Sequence, residues 1–96
     1  MFKLLKISGN SLYPFFKDGQ RVLCRKLYAN STLRVNDTVV IHKKPYGLIA
    51  KKITIINLNK FYLRGNSPDS IDSRDFGYID KEDLKYKILC KLSLSF

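Results

Sequence analysis

Short runs of apolar residues, several of them alternating with polar ones, dominate the chain and predict β-strands. The strongest is "LIAKKITII" at residues 48–56, which is rich in β-branched side chains. Many short strands separated by turn-forming residues predict a mainly β fold. We expect a single domain over residues 1–96, built as a small sandwich or a partly open barrel of antiparallel strands. The other predicted strands are residues 2–8, 20–28, 37–44, 60–65 and 86–95.

Helical signals are confined to two places. Pro14 suits the first turn of a short helix within "LYPFF", and Asp80 can cap one turn in "DKEDL". We therefore expect at most one or two short helical turns. The stretch "GNSPDSIDSRDFG" at residues 65–77 has no regular period and is dense in turn formers and acids. It is predicted to be a polar loop, and a loop of this length in so small a domain is usually functional or disordered.

The composition favours an ordinary folded protein of the cytoplasm. No apolar run approaches the ~20 residues of a membrane-spanning helix, and "MFKLLKIS" lacks the long apolar stretch and cleavage site of a signal peptide. We therefore expect no membrane anchor. Cys24 and Cys90 both lie in apolar strand-like runs and are expected to be buried thiols without a disulfide. Two cysteines and one histidine form no zinc pattern, so neither metal nor cofactor is predicted.

Positive charge is concentrated in the first two thirds of the chain. The net charge is +10, with 13 Lys or Arg and two Asp in residues 1–65, against five Lys or Arg and six Asp or Glu in residues 66–96. A basic surface can bind phosphate backbones or anionic lipid head groups. The cations are spread out, however, and 13 of the 18 are lysines, which act as point charges rather than readers of bases. We expect a solvated basic face, open to peripheral membrane association, and no nucleic-acid partner.

Two adjacent lysines interrupt the most apolar strand. Because alternate residues of a strand share a face, Lys52 lies on one face and Lys51 shares the other with Ile49, Ile53 and Ile55. In a straight strand the two ammonium groups cannot both point into water, so at least one is drawn toward an apolar surface. Burial disfavours the charged form, and such a lysine can act as a general base near neutral pH. The alternative is a lysine that protects an edge strand or extends its head group to solvent.

A serine in "ISGNSLYPFF" at residues 7–16 is a candidate nucleophile. Gly9 permits close approach of the backbone to a ligand, and the turn at Asn10 and Ser11 can direct N–H groups at an oxyanion. The apolar residues that follow would shield the site from water. The alternative is that Ser11 is an ordinary turn residue, because Gly-Asn-Ser is common in turns.

The loop at residues 65–77 supplies a third element. Asp72 and Arg74 are two residues apart and can pair across a tight loop, which would let Ser70 or Ser73 present a hydroxyl to a lysine amine. A solvated acidic loop is the alternative. His42, the only histidine, has no carboxylate pattern near it in the sequence, so a Ser-His-Asp triad lacks local support.

The order of these segments resembles the signal-peptidase-like serine/lysine peptidases, the family that includes the type I signal peptidases. That family has a G-x-S-M-x-P box, a G-D-x-V strand, a V-K-R strand and a G-D-N…S-x-D-S-R-x-F-G box. The corresponding segments are "ISGNSLYPFFKDGQRVL", "VNDTVVIHKKP", "LIAKKIT" and "FYLRGNSPDSIDSRDFG". The resemblance runs from about residue 7 to residue 89, and "SIDSRDFG" matches every fixed position of the last box.

The resemblance implies a β fold of the signal-peptidase and SOS-repressor-peptidase type and a serine endopeptidase with a Ser/Lys dyad. Ser11 would be the nucleophile, with its own N–H in the oxyanion hole, and Lys51 the general base. Ser70 would orient the lysine amine. The substrate would be a precursor protein or peptide, bound as an extended strand and cleaved after small residues to remove a leader or signal-like segment. The loop would be held by Asp72, Ser73 and Arg74, and the substrate pocket lined by Gly9, Asn10, Leu12, Tyr13 and Pro14.

Several positions depart from the family pattern, among them Lys52, which stands where the family usually has Arg. Leu12 replaces a Met beside the serine, which would reshape the substrate pocket. Gln20 and Asn66 replace Asp residues and Asn36 replaces a Gly, changes that could loosen turns. The connection after Lys52 is short, and no anchor is expected. In these two features the chain resembles the short, soluble branch of the family that comprises nickel-type superoxide dismutase maturation proteases.

Two other functions stay open at this stage. A self-cleaving regulator, resembling the peptidase domain of the SOS repressors, would need a cleavable segment in its own chain, and only ten residues precede Ser11. A non-catalytic basic β module that binds nucleic acid or anionic lipid is supported only by the positive charge of residues 1–65.

Overall fold

The computed structural model describes residues 1–9, 12, 15–66, 68 and 70–92, and it confirms the predicted mainly β fold. Over these residues seven strands form one antiparallel sheet that is not closed, in the order β1-β2-β7-β3-β4-β5-β6. The predicted strands are all present, with bounds that differ by a few residues. The strands are β1 (Phe2–Lys6), β2 (Arg21–Lys26), β3 (Thr38–Lys43), β4 (Gly47–Asn57), β5 (Lys60–Arg64), β6 (Ile79–Asp80) and β7 (Leu84–Leu92).

The long strand β4 joins the two halves of the sheet. Its residues 47–52 pair with β3 and its residues 52–57 pair with β5, so Lys51 and Lys52 lie where the strand changes neighbours. A bulge between Ile53 and Ile55 then breaks the alternation of faces. The prediction that Ile55 shares the face of Lys51 is therefore wrong. Ile55 is exposed, and Ile56 packs against the core in its place.

Two apolar clusters form the core, and β3 contributes to both. Val39 and Ile41 belong to the first cluster, whereas Val40 belongs to the second, because consecutive strand residues point to opposite faces. The buried members of the first cluster are Leu27, Val39, Ile41, Ile53, Phe61, Leu63, Ile79 and Leu84. Those of the second are Val22, Cys24, Val40 and Ile88.

Helical structure in the described residues is limited to two short turns. Helix α1 (Ser73–Phe76) lies inside the segment predicted as a loop, and a 3₁₀ turn spans Lys81–Asp83. The predicted turn after Asp80 is thus present, but the Asp80 side chain does not cap it. That carboxylate instead pairs with the Lys60 ammonium. The helical turn predicted around Pro14 falls on a residue outside the described part of the chain.

The two cysteines are free, as predicted, but only one is buried. Cys24 packs in the second cluster opposite Ile88, whereas Cys90 is exposed, so the prediction of its burial is wrong. Cys90 pairs with Leu23, the neighbour of Cys24 along the strand, and it therefore lies on the opposite face of the sheet. Over the described residues, no helix is long and apolar enough to cross a membrane.

Candidate active site

The Lys51 side chain is buried in the sheet, with 3% of its surface exposed. It lies opposite Val39 of β3, between Ile49 and Ile53 on its own face of β4. Burial lowers the pKa of the Lys51 amine from its ordinary value. A lysine in this environment holds more of its neutral form near pH 7, and that form can accept a proton.

Charges of the loop after β5 act on Lys51 in both directions. The carboxylates of Asp72 and Asp75 raise the pKa of the amine, and the Arg74 guanidinium lowers it. The carboxylates therefore only partly offset the effect of burial, and the net shift is downward. Lys52, by contrast, is half-buried, with its ammonium 5.5 Å from the centroid of the Phe15 ring. The sequence predicts that at least one of the two lysines is buried, and the structure buries Lys51.

Asp72 is the centre of the loop's hydrogen-bond network. Its side chain has no exposed surface and accepts from the Gly65 N–H at 2.9 Å and the Ser70 hydroxyl at 3.0 Å. Arg74 donates to it from the backbone N–H at 3.0 Å, from Nε at 2.9 Å and from Nη2 at 2.7 Å. Burial by itself would raise the pKa of Asp72, but the hydrogen bonds led by Arg74 outweigh it and hold that pKa well below its usual range. The ion pair expected between Asp72 and Arg74 is thus present.

Helix α1 anchors this loop to the sheet. The Ser73 hydroxyl, 2% exposed, accepts the Leu63 N–H of β5 at 2.8 Å. Asp72 is the N-cap, and the Asp75 carboxylate accepts the Asp72 N–H at 3.1 Å in a capping box. The four-residue helix therefore fixes the Asp72 carboxylate relative to β5, which pairs with the strand of Lys51.

The Ser70 hydroxyl is bound to the same ion pair. It donates to Asp72 and accepts from Arg74 Nη2 at 3.1 Å. These contacts place Ser70 on the loop network. Its expected role in orienting the Lys51 amine stays a prediction.

The segment that carries Ser11 connects β1 to β2. At its base the Ile7 N–H donates to the Gln20 carbonyl at 2.7 Å, and the Gly19 N–H donates to the Ile7 carbonyl at 2.8 Å. The Gly9 N–H donates to Asp18 Oδ1 at 2.8 Å, with Gly9 at φ +85°, a conformation that favours glycine. The predicted site residues Asn10, Ser11, Tyr13 and Pro14 lie outside the described residues.

Leu12, the residue after Ser11, ties this segment to the loop around Asp72. It is buried, and its carbonyl accepts the Asn66 side-chain amide at 3.3 Å. Asn66 follows Gly65, whose N–H binds Asp72. The sequence suggested only that Asn66 would loosen a turn, yet an amide can donate to this carbonyl and an ionised Asp cannot.

Two clefts open beside Leu12. The smaller has a volume of about 40 Å³ and can take at most a small side chain. It is lined mainly by apolar residues, among them Leu5, Ile7, Leu12, Val40 and Ala50. The other, of about 270 Å³, includes Lys52 in its lining. A larger cavity of about 600 Å³, between residues 27–29 and residues 80–84, shares no lining residue with this region.

Among the described residues, other reactive groups do not form a competing centre. Burial, with a smaller contribution from Cys90, raises the pKa of the Cys24 thiol to about 11, which keeps it protonated and unreactive at neutral pH. His42 is exposed on β3. Within the described ranges, no three His, Cys, Asp or Glu side chains lie close enough to hold a metal ion.

Comparison with protein-family models gives no match to this chain, and comparison with curated proteins gives none either. The resemblance to the signal-peptidase-like peptidases therefore remains a prediction from the sequence motifs.

Proposed function

We propose that the protein is a serine endopeptidase in which Ser11 is the nucleophile and Lys51 the general base. Its substrate would be a precursor protein or peptide, bound as an extended strand and cleaved after a small residue to release a leader or signal-like segment. The observation that carries the proposal is the burial of the Lys51 amine, whose pKa is lowered, within an otherwise apolar strand.

Contacts of Leu12 and of the loop around Asp72 support the same assignment. The hydrogen bond from Asn66 to Leu12 and the one from Gly65 to Asp72 connect the Ser11 segment to the loop whose charges act on Lys51. A Ser/Lys dyad works at hydrogen-bond distance, about 2.6–3.2 Å between Oγ and Nζ, and somewhat more without substrate.

In the proposed reaction, neutral Lys51 takes the proton of the Ser11 hydroxyl as Oγ attacks the scissile carbonyl. The tetrahedral intermediate collapses, the Lys51 ammonium gives its proton to the leaving amine, and Ser11 is left acylated. Lys51 then deprotonates a water molecule that hydrolyses the ester. Because the base must be neutral, kcat/KM should rise with pH through the pKa of Lys51, below the range of an ordinary lysine.

The test is cleavage of a proteome-derived peptide mixture, read by mass spectrometry, with the wild type and three variants. We expect Ser11→Ala and Lys51→Ala each to lower the rate by about 10³-fold or more, because each removes half of the dyad. Lys26→Ala is the control, since it removes an exposed lysine that lines neither cleft beside Leu12, and it should keep most of the activity. Equal cleavage by the wild type, Ser11→Ala and Lys51→Ala would refute the proposal.

A second candidate is a non-catalytic module that binds an anionic surface. Strands β1, β2 and β7 carry eight Lys or Arg residues, two, three and three respectively, and no acidic residue. Binding to anionic vesicles or to RNA that falls steeply with salt and is unchanged in Ser11→Ala would favour this function.

A further inference from the structure

The larger of the two clefts beside Leu12 lies on the face of β4 that carries Lys52. Its volume of about 270 Å³ is below the range of pockets that hold whole small-molecule ligands. A cleft of this size suits a single side chain of a peptide. Its lining includes Phe15, Phe16, Thr38, Lys52, Asn66 and Lys91.

Two ammonium groups line the cleft, and each lies over an aromatic ring. Lys52 Nζ is 5.5 Å from the centroid of the Phe15 ring, and Lys91 Nζ is 5.8 Å from that of Phe16. Lys91 Nζ also donates to the Phe15 carbonyl at 2.9 Å. Because these contacts already restrict both side chains, a ligand that binds them loses less conformational entropy.

Among the described residues, no acid neutralises this pair of charges. Neither Lys52 nor Lys91 forms an ion pair with an acidic residue in the described part of the chain. Asp37, which directly precedes Thr38, is 3.3 Å from Lys87 Nζ and accepts the Arg34 N–H. Within the described part of the chain, the cleft therefore offers positive charge without a counter-charge.

From this arrangement we infer that the cleft binds the carboxylate of an acidic residue in the peptide that reaches the Ser11 segment. The peptide nature of the ligand rests on the proposed function, whereas the preference for a carboxylate rests on Lys52 and Lys91. Leu12 lines both clefts, so one extended peptide can place a small side chain in the apolar cavity and an acidic one between the lysines.

The test is direct binding to full-length Ser11→Ala protein, so that no peptide is consumed. The probes are fluorescein-labelled decapeptides of alanine and serine, with one Asp placed at each position in turn and a twin peptide with Asn there. We expect Asp to be favoured over Asn at one or two adjacent positions by roughly three- to tenfold at low salt, because partly exposed ion pairs are weak. High salt should abolish this preference.

Three kinds of variant assign the preference to the cleft. Lys52→Met and Lys91→Met should each reduce it, and Lys52→Arg and Lys91→Arg should keep it. Lys26→Met is the matched control, because Lys26 Nζ also lies over a ring, 5.8 Å from the Tyr28 centroid, but does not line the cleft. This control should leave the preference unchanged.

The inference is overturned if no position favours Asp, or if Lys26→Met reduces the preference as much as Lys52→Met does. It is also overturned if inorganic phosphate binds more tightly than the best aspartyl peptide, which would make the cleft a site for a free oxyanion. If the wild type cleaves peptides without any preference for Asp, the inference about the cleft is wrong and the proposed peptidase function stands. If the wild type cleaves no peptide but the Ser11→Ala protein still binds Asp peptides preferentially, the proposed peptidase function is wrong and the inference about the cleft stands.

Discussion

Asp72 and Lys51 are buried charges of opposite sign that act on each other, and they differ in how the protein compensates them. The Asp72 carboxylate is fully buried and accepts hydrogen bonds at both oxygens, from Gly65, Ser70 and Arg74. Lys51 is almost as buried but lies between Ile49 and Ile53. The pKa of each group is lowered, by hydrogen bonds in Asp72 and by burial in Lys51.

A lowered pKa has opposite meanings for an acid and a base. For Asp72 it means a charge that persists at every physiological pH, as expected of a structural group. For Lys51 it means that the proton is held weakly, as expected of a group that transfers it. Burial alone therefore does not make a charged group reactive. The number of hydrogen bonds to the charged form decides whether the group keeps its charge, as Asp72 does, or holds its proton weakly, as Lys51 does.

The largest expected effect is on stability, from Asp72→Ala. This change removes the carboxylate that accepts from the N–H groups of Gly65 and Arg74 and from the Arg74 guanidinium. We expect the free energy of unfolding in urea to fall by about 3 kcal/mol at neutral pH. This loss is smaller than the largest effects of breaking a buried ion pair, because water can hydrate the Arg74 side chain after the change. Because the folded pKa of Asp72 is lowered, the stability it provides is present above about pH 4 and is lost as pH falls below it. The difference between wild type and variant should therefore narrow in acid.

Asp75→Ala is the matched control for this comparison. Asp75 belongs to the same capping box, but it is exposed, and its carboxylate accepts a single hydrogen bond within the described residues, from the Asp72 N–H. Its loss should cost about 1 kcal/mol, the usual value for a cap. Equal losses in the two variants would mean that Asp72 is not the centre of the network.

A smaller loss is expected from Ser73→Ala, which separates α1 from β5. The Leu63 N–H would stay buried without its acceptor, at a cost of about 1–2 kcal/mol in the free energy of unfolding. Hydrogen exchange of the Leu63 amide should also accelerate relative to neighbouring amides of β5. Ser70→Ala is the comparison, because Asp72 and Arg74, the two partners of the Ser70 hydroxyl, stay hydrogen-bonded to each other without it. We expect its loss of stability to be smaller. A larger loss from Ser70→Ala than from Ser73→Ala would contradict this account.

Six of the seven strands could be predicted from the sequence because the information for them is local, whereas β6, only two residues long, was missed. Alternation and β-branched residues mark β3 and β4 without any knowledge of their partners. Ile55 could not be placed correctly, since the bulge beside it depends on pairing with β5. Helix α1 was missed because four residues are too few to show a helical period, and its stability comes from the cap at Asp72 and the contact of Ser73 with β5.

The candidate site shows the same division. That one lysine of the pair is buried follows from alternation within an apolar strand. Which of the two lysines is buried depends on tertiary contacts. The Lys52 ammonium lies over the Phe15 ring on its face of the strand, whereas the charges of the Asp72 loop act on Lys51. The role of Asn66 could not be predicted either, since its partner Leu12 is 54 residues away in the chain.

The smallest expected effect, and the only gain, comes from Lys51→Met. An apolar side chain of similar length removes the cost of burying an ammonium, so the free energy of unfolding should rise by roughly 0.5–2 kcal/mol while peptide cleavage is lost. The folded pKa of Lys51 is lowered, so the unfolded chain binds more protons between that pKa and the ordinary value near 10.4, and wild-type stability rises with pH there. The advantage of the variant should thus be largest near neutral pH and shrink toward pH 10, as urea unfolding at several pH values would show.

Lys52→Met is the control for this prediction, because it removes the adjacent lysine from the half-buried face. Lys52 is half-buried with its ammonium over the Phe15 ring, so its removal loses that contact and should not raise stability. If Lys51→Met were instead destabilising at all pH values, the Lys51 ammonium would be compensated as fully as the Asp72 carboxylate. The contrast between the two buried charges would then disappear, and with it the physical reason for assigning the base to Lys51.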